Sequence, residues 1–378
     1  MQFTLKHYDT PLLKFSASMD TSEPEIEIIW ADEERRHLLP LDMEPTPEEL
    51  RRWLFRRTIP KNRAFVHELL AKCGLNLNRP MHIISVCKGL SLNDCYWVVP
   101  EDFEGTFAKN NLYDNPFSNV LAALAFTGYG DSGNSRLYSS PEFTTNGMLP
   151  KCWRRIDGKV VLYKGGTEGA SNAGFEPYSE YYASRIAETM GISAIAYNLS
   201  KWKGRLCSTC ELFTDKETAF LPVGYLVRKG GMEAVRAYYK ELGPAFVDAL
   251  DDMLVFDAVI CNTDRHFGNF GFLIDNQTNK IVAPAPLFDH GNALFNFAGM
   301  GSWENRETLE SYVKTLQPCV YDDFIGTAQA VLRPRHHKML RNLLTYRIPR
   351  HSRYNLPKKR LRLMEQQVQT QARLLLEV

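Results

Sequence analysis

The stretch NTDRHFGNF, residues 262–270, is the part of this chain from which its fold is best inferred. It follows the apolar segment MLVFDAVIC (253–261), which predicts a buried helix, and runs into FGFLI (270–274), which predicts a strand. A short loop between helix and strand therefore presents Asp264 and, five positions later, Asn269. The pattern brings a carboxylate and an amide to the start of one strand.

A second predicted strand, KIVAPAPLF (280–288), ends in Asp289 of the sequence DHG. If the two strands form a hairpin, Asp289 lies at the same end as Asp264 and Asn269, and all three offer hard oxygen ligands. Phosphoryl transfer uses such a set: one carboxylate orients the nucleophile, while an amide oxygen and a second carboxylate hold Mg²⁺. We predict these roles for Asp264, Asn269 and Asp289, in that order. The alternative interpretation treats them as loop caps and turn formers.

Phosphoryl transfer also needs a lysine on the phosphates and an acid that holds it. Lys164 ends the predicted strand KVVLYK, and Glu180 lies on the amphipathic helix predicted for residues 177–190. We predict that Lys164 binds phosphate and that Glu180 pairs with it. Two alternatives stay open: Lys164 as a solvated lysine at a strand end, and Glu176 or Glu188 in place of Glu180.

Two further segments are candidates for nucleotide contacts. FTTNGM (143–148) is a turn with one glycine whose backbone N–H groups suit phosphates, although it lacks the GxGxxG pattern. CELF (210–213) lies in the chain between the predicted β-rich and helical parts, which is the position of a strand that links two lobes. The backbone of such a strand would form hydrogen bonds with adenine. The ATP-binding residues predicted in these segments are Thr145, Asn146, Gly147, Glu211 and Phe213.

The order NTDRHFGNFGFL and then APAPLFDHG resembles that of the HipA-like kinases, bacterial serine/threonine kinases known as toxins of toxin–antitoxin pairs. The same D-R-H-x-x-N and D-x-G order is similar to that of phosphoinositide kinases, which share the broader kinase-like fold. Residue by residue, the resemblance implies Asp264 as the catalytic aspartate and Asn269 and Asp289 as the metal-binding residues. It places Lys164 and Glu180 in the phosphate-binding roles. His266 matches a position expected to support the loop rather than to transfer protons.

The resemblance covers roughly residues 140–345 and implies transfer of the γ-phosphate of ATP, with Mg²⁺, to a protein hydroxyl. In this family the nucleotide loop can carry a serine that is autophosphorylated. The hydroxyls here are Thr144 and Thr145, the candidate sites, with Ser139 and Ser140 just upstream. The resemblance also implies a small helix-turn-helix antitoxin partner, through which DNA would be contacted only indirectly.

We predict an α+β fold: a bilobal protein-kinase-like unit with a β-rich N-lobe and a helical C-lobe, preceded by an N-terminal α/β domain. The predicted boundaries are 1–130 for the N-terminal domain of unknown role, 131–215 for the kinase N-lobe and 216–378 for the C-lobe. Expected strands are 81–87, 95–99, 151–156, 159–164, 194–202, 205–213 and 221–227. Expected helices are two within 46–73, then 177–190, 232–242, 244–260, 306–317, 321–332, 335–345 and 357–376.

The chain of 378 residues carries 45 Lys+Arg against 44 Asp+Glu, a formal net charge of +1. Its 44% hydrophobic and 24% charged residues exclude collagen-like, low-complexity and disordered classes, and the charge balance disfavours a strongly basic nucleic-acid binder. No apolar run approaches the ~20 residues of a membrane span. The N-terminal sequence MQFTLKHYDT lacks the apolar core of a signal peptide, so we expect a cytoplasmic protein.

The near-zero charge conceals an asymmetry. Residues 20–50 hold eleven acids and two bases, whereas residues 324–364 hold eleven Lys/Arg and no acid. Three interpretations of this asymmetry stay open: a basic docking surface, solvated helix faces, or two segments that face each other within the fold. Cys207 and Cys210 form a CxxC, for which reduced thiols are a better interpretation than a zinc or redox site.

Two other functions stay open from the residues. One is a phosphoinositide or small-molecule kinase of the same fold, since cationic helices attract anionic headgroups. The other is a non-catalytic, DNA-associated regulatory module, which rests on the basic run 333–362 with interleaved tyrosines.

Overall fold

The computed structural model describes residues 1–130, 140–169 and 172–377. Ser139, just upstream of the predicted nucleotide loop, lies outside the described residues. The described part mixes helices and strands, as the predicted α+β class requires. It divides into two compact units, here called unit 1 (1–164, 211–221 and 273–282) and unit 2 (165–210, 222–272 and 283–378).

The strands are β1 Gln2–His7, β2 Thr10–Ala17, β3 Ile26–Ala31, β4 Tyr96–Pro100, β5 Lys151–Ile156, β6 Lys159–Gly165, β7 Asn198–Trp202, β8 Arg205–Glu211, β9 Thr218–Pro222, β10 Gly271–Asp275 and β11 Lys280–Pro284. The helices are α1 Pro47–Phe55, α2 Val66–Lys72, α3 Pro80–Cys87, α4 Phe107–Asn110, α5 Asn119–Thr127, α6 Glu176–Met190, α7 Val223–Leu226, α8 Gly231–Leu242, α9 Pro244–Ile260, α10 Arg306–Val313, α11 Phe324–Gln329, α12 Pro334–Leu343 and α13 Lys358–Leu376. Short 3-10 turns occur at Arg36–Leu38, Pro141–Phe143 and Met300–Trp303.

Unit 1 begins with an antiparallel sheet of strand order β3-β2-β1-β4. Its buried residues, among them Phe3 and Phe15, pack with Trp53 of α1 in one hydrophobic core. α1 starts where the sequence predicts: the Thr46 side chain accepts the N–H of Glu49, and proline occupies the first helical position. Side chains alternate between the two faces of the sheet, and one face is therefore buried against the amphipathic helix α1.

Helix α3 joins this core to a second one in unit 1. Met81 and Ile84 pack into the core of the sheet, while Ile83 and Cys87 pack with α2 and α5. Phe143, from the predicted nucleotide loop, is fully buried in the second core. The loop is thus attached to the N-terminal third of the chain through apolar packing.

The expected strands 151–156 and 159–164 are present as β5 and β6, which pair as an antiparallel hairpin. Ile156 pairs with Lys159 across Asp157 and Gly158, whose φ values of 49° and 81° fit the two-residue turn that the D-G sequence favours. The three-stranded sheet of order β11-β10-β9 lies mostly in unit 1 and includes the predicted hairpin of β10 and β11.

Unit 2 is built around α9, which packs against α8, α11 and α13. Ten of the eleven residues from Leu250 to Ile260 are buried, because this mainly apolar stretch is covered by other helices. α6 and the hairpin of β7 and β8 belong to the same unit. Cys207 is buried and Cys210 half-buried, both on β8.

The sequence prediction was wrong for MHIISVC (81–87), which is helix α3 rather than a strand. A short apolar run does not distinguish the two structures by its periodicity, and Pro80 supplies a preset φ at the first helical position. The strand expected at 221–227 ends at Pro222 and continues as α7. The strand expected at 194–202 begins only at Asn198, after an isolated bridge from Ala194 to Leu287. The three-part division of the chain stays a prediction.

The charged segments at the two ends find partners within their own units. In unit 1, Glu44 lies 2.8 Å from Arg36. In unit 2, Arg335 lies 2.8 Å from Asp252, and Arg347 lies 2.6 Å from Glu365. These pairs compensate part of the charge in both segments. Within the described ranges, no helix is both long and apolar enough to cross a membrane.

Candidate active site

The candidate catalytic loop begins where α9 ends. Cys261 adopts a left-handed conformation with φ 49° and closes the helix. The next residue, Asn262, is fully buried; its Oδ1 accepts the N–H of Asp264 at 3.2 Å, and its Nδ2 donates to Asp257 Oδ1 at 3.3 Å. The backbone at Asp264 is therefore fixed to the end of a buried helix, while its side chain remains half-buried.

Asn269 is held by the same loop. Its Nδ2 donates to the carbonyl oxygen of Asp264 at 3.1 Å, and its N–H donates to the carbonyl oxygen of His266 at 2.9 Å. Because the amide nitrogen is engaged by the protein, the amide oxygen is left as the atom that a hard cation would contact. The Nδ1 of His266 accepts the N–H of Gly268 at 3.0 Å, which fits the loop-supporting role expected for His266.

Arg265 connects this loop to the segment that carries Asp289. It is fully buried and makes two bonds to the equally buried Asp257, Nε to Oδ2 at 2.9 Å and Nη2 to Oδ1 at 3.0 Å. Its Nη1 donates to the carbonyl oxygens of Asn269 at 3.2 Å and Phe288 at 2.6 Å. The Arg265 guanidinium thus bonds to the backbone of Asn269 and to that of Phe288, the residue before Asp289.

The charge of Arg265 is stable in this position. Burial alone would disfavour the charged form, but the adjacent Asp257 carboxylate outweighs it and raises the pKa of Arg265. Since a guanidinium only donates hydrogen bonds, Nδ1 of His290 accepts at 3.0 Å from Nη2. Arg265 is therefore the charged donor, and its bond fixes one tautomer of His290, while burial, partly offset by the charge of Arg265, raises the pKa of Asp257.

Asp289 lies in a left-handed conformation with φ 56°, and its N–H donates to the hydroxyl oxygen of Tyr197 at 3.2 Å. Burial, with a further contribution from the charge of Glu180, raises the pKa of Tyr197 well above its usual value, so the phenol stays protonated. Glu180 is fully buried, and its Oε2 accepts the N–H of His290 at 2.8 Å. Helix α6 thereby holds the residue that follows Asp289.

A further contact reaches Asp264 from the Asp289 segment. Asn292 donates from Nδ2 to Asp264 Oδ2 at 2.9 Å, and its carbonyl oxygen accepts the N–H of Thr263 at 3.2 Å. Two carboxylates and an amide are thus attached to two short segments that Arg265 and Asn292 join. This donor set suits Mg²⁺, which typically takes one or two protein carboxylates and completes its shell with water and substrate phosphates. Among the described residues, no group of three or more His, Cys, Asp or Glu side chains could hold a metal alone.

The predicted lysine and nucleotide loop lie in unit 1. Lys164 is buried on β6 opposite Lys151. The Nζ of Lys151 donates to the carbonyl oxygen of Asn146 at 2.8 Å, and Gly147 has φ 91°, with the same Nζ where a Cβ would stand. The pairing of Lys164 with Glu180 stays a prediction.

A buried ion pair holds the nucleotide loop. Arg63 and Glu142 are at most 1% exposed, and their side chains lie 2.7 Å apart. Arg63 also donates to the carbonyl oxygens of Thr145 and Lys151, at 3.2 and 2.8 Å. Although the sequence suggested no chemistry for the N-terminal third, one of its arginines anchors the turn predicted to face ATP.

The two candidate phosphorylation sites differ in exposure. Thr144 is buried, and its hydroxyl donates to the carbonyl oxygen of Leu90 at 2.7 Å. Thr145 is half-buried; its hydroxyl donates to the carbonyl oxygen of Pro141 at 2.7 Å and accepts from the indole N–H of Trp153 at 3.0 Å. Phosphorylation of either threonine requires the turn to open, and it stays a prediction.

The predicted adenine segment crosses the boundary between the units at residues 210 and 211. The Glu211 side chain pairs with Lys159 at 2.6 Å and is exposed. The N–H of Leu212 donates to the carbonyl oxygen of Val160 at 2.9 Å, and the ring of Phe213 packs against Phe220. Backbone contacts of Glu211 or Phe213 with adenine stay a prediction.

Sequence reasoning missed Arg265, Asn292, Tyr197 and Arg63 as functional residues. One signal was present: Asp257 interrupts an apolar helix, and a buried carboxylate requires a cationic partner. Arg265 lies eight residues further on and meets that requirement. The other three contacts join residues far apart in the chain, so local patterns carried no sign of them.

The fold is that of the HipA-like kinases. HipA, in a structure described as the Shewanella oneidensis MR-1 toxin–antitoxin system of HipA, HipB and operator DNA, matches with a TM-score of 0.55 at 11% identity. That match covers 98% of this chain and 96% of the other. The resemblance inferred from sequence for residues 140–345 was therefore too short, since the fold match includes the N-terminal third.

A second solved structure is the proinflammatory kinase CtkA of Helicobacter pylori, with a TM-score of 0.50 at 17% identity, covering 62% of this chain and 91% of that chain. In sequence, the serine/threonine-protein kinase CtkA of H. pylori strain J99 is 28% identical over 134 residues. The aligned part is 31% of this chain and spans 40% of that relative's length. No family model matches the sequence. The chain is thus a distant homologue of a serine/threonine kinase.

Proposed function

We propose that this chain is an ATP- and Mg²⁺-dependent serine/threonine protein kinase. The observation that carries the proposal is the joining of the Asp264–Asn269 loop to the Asp289 segment through Arg265 and Asn292. In this arrangement the buried Arg265 holds the backbone at Asn269 and Phe288, and Asn292 bonds to the Asp264 carboxylate. The distant homology to CtkA and the HipA-like fold support the same activity.

In the proposed reaction, Asp264 accepts a hydrogen bond from the acceptor hydroxyl and orients it toward the γ-phosphorus. The acceptor oxygen forms a bond to phosphorus, the bond from phosphorus to the β,γ-bridging oxygen breaks, and ADP leaves. The hydroxyl proton passes to Asp264 and then to solvent. Asn269 Oδ1 and the Asp289 carboxylate would hold Mg²⁺, which neutralises charge on the phosphates when bound.

The nucleotide contacts are part of the proposal. Lys164 would bind phosphate and pair with Glu180, in the arrangement of protein kinases. The backbone of residues 145–147 would face the phosphates, and residues 211–213 would face adenine. The proposed fold is bilobal, with a β-rich lobe and a helical lobe.

We extend the proposal to a toxin of the HipA type with a small helix-turn-helix antitoxin. The support is that the matched HipA was solved together with HipB and operator DNA. On this view the kinase contacts DNA only through its partner. Co-purification with the product of an adjacent small reading frame tests this part alone.

The experiment for the activity is transfer of label from [γ-³²P]ATP with Mg²⁺, to the protein itself and to casein. We expect transfer by the wild type and a loss of at least ~100-fold in Asp264→Asn, the scale of a lost acid–base group. Asp275→Asn is the matched control, because Asp275 caps a turn through Thr278, away from the loop. Absence of transfer by the wild type, or equal transfer by Asp264→Asn, would refute the proposal.

A further inference from the structure

Asp264 receives a hydrogen bond from a residue that the proposed reaction does not otherwise use. The Nδ2 of Asn292 donates to Asp264 Oδ2 at 2.9 Å. The amide nitrogen must be the atom that faces the carboxylate, because an ionised carboxylate only accepts. Within the described residues, no protein group donates to Asp264 Oδ1. The contact therefore distinguishes two otherwise equivalent oxygens.

This distinction matters for an acceptor hydroxyl. An aspartate carboxylate rotates about a broad, roughly two-fold torsion, so an unrestrained side chain spends much of its time with neither oxygen aimed correctly. A bond to Oδ2 fixes the carboxylate plane and leaves Oδ1 as the acceptor for the substrate proton. Misplacement of a reacting group by about 1 Å costs on the order of 100-fold in rate.

Asn292 is itself held firmly. Its carbonyl oxygen accepts from both the N–H and the hydroxyl of Thr263, at 3.2 and 3.1 Å, next to Asp264 in the chain. The following residues are attached on both sides: the Ser179 hydroxyl donates to the carbonyl oxygen of Ala293 at 2.9 Å, and the N–H of Leu294 donates to that of Ile260 at 2.8 Å. The segment from Asn292 to Leu294 thus joins the end of α9 and helix α6 to the loop.

We infer that Asn292 is a positioning residue, whose amide orients Asp264 toward the acceptor hydroxyl. Asn292 lies three residues after Asp289 on the same segment. A segment that is held in place for metal binding therefore also holds the Asp264 carboxylate in place, through the bond from Asn292. This inference rests on the proposed kinase function and deepens it. It assigns to Asn292 an effect on turnover rather than on nucleotide affinity.

The chain offers a matched control in Asn296. Asn296 is buried in the same segment, and its Nδ2 donates to the carbonyl oxygen of Gly291 at 2.9 Å. Asn296→Ala removes an amide of the same kind, from a more buried position than that of Asn292, but no contact to Asp264. A difference between the variants in turnover therefore reports on Asp264 and not on general loosening of the segment.

The test measures label transfer and Mg·ATP affinity, with thermal unfolding to show that each protein is folded. The variants are Asn292→Ala, Asn296→Ala, Asp264→Asn and the double variant Asp264→Asn/Asn292→Ala. We expect Asn292→Ala to lower kcat by about 10–100-fold with KM for ATP within ~3-fold, and Asn296→Ala to change kcat by less than ~3-fold. On the Asp264→Asn background, Asn292→Ala should cause no further loss, because both changes remove the same function.

Equal kcat values for Asn292→Ala and Asn296→Ala in an active enzyme would overturn the inference and leave the kinase proposal standing. A fall in ATP affinity with unchanged kcat would also overturn it. An inactive wild type would refute the proposed function, and the role of Asn292 with it.

Discussion

Replacement of Arg265 by methionine tests the ion pair that holds the candidate site together. Arg265 and Asp257 are both 0% exposed, so Arg265→Met leaves a carboxylate buried without its charge partner. It also removes the donors to the carbonyl oxygens of Asn269 and Phe288. Loss of one member of a buried pair costs roughly 3–5 kcal/mol of unfolding free energy, and we expect a loss in that range.

The double variant Asp257→Asn/Arg265→Met removes the charge that the single change leaves unpaired. We expect it to lose less stability than the sum of the two single variants, by about 1–3 kcal/mol. Urea unfolding followed by tryptophan fluorescence gives these free energies. Arg306→Met is the control, because Arg306 pairs with Glu310 on an exposed surface and should cost less than about 1 kcal/mol. A loss below ~1 kcal/mol for Arg265→Met, or additive single effects, would refute the reasoning.

Two predictions concern unit 1. Burial lowers the pKa of His7 from 6.5 to about 4, partly offset by Asp94, so stability from neutral His7 is present above pH 6.5 and lost as pH falls toward 4. His7→Phe should flatten this decline, which amounts to roughly 3 kcal/mol down to pH 4 and about 2 kcal/mol down to pH 5, and urea unfolding at pH 7, 6, 5 and 4 checks it; an unchanged slope would contradict the assignment. Arg63→Met leaves Glu142 buried and unpaired, so we expect faster proteolytic cleavage near residues 145–148 than in the wild type, and equal cleavage rates would contradict the anchoring role.

The parts of the fold that were predictable from sequence have local causes. The hairpin turn at Asp157-Gly158 follows from two residues that tolerate positive φ, and the bounds of α9 follow from Pro244 and a mainly apolar run that Asp257 interrupts. The candidate catalytic loop was recognisable because Asp264 and Asn269 are five positions apart in a loop between a predicted helix and a predicted strand. These features depend on neighbours in the chain, and sequence periodicity carries that information.

What could not be predicted depends on distant partners. Arg63 and Glu142 lie 79 positions apart, and Asn292 reaches Asp264 over 28. The segment 81–87 is apolar on both sides because α3 lies between two cores, so it has no amphipathic signal to separate helix from strand. Tertiary packing decides such cases, and a single sequence does not encode it in any local pattern.

The central claim is that Asp264 serves the acceptor whereas Asp289 serves the metal. Isothermal titration of the ATP analogue AMP-PNP, with Mg²⁺ and with EDTA, tests this directly in the wild type, Asp264→Asn and Asp289→Asn. We predict Mg²⁺-dependent binding that weakens at least ~10-fold in Asp289→Asn and stays within ~3-fold in Asp264→Asn. Binding that is independent of Mg²⁺ in the wild type, or equal in all three proteins, would contradict the account.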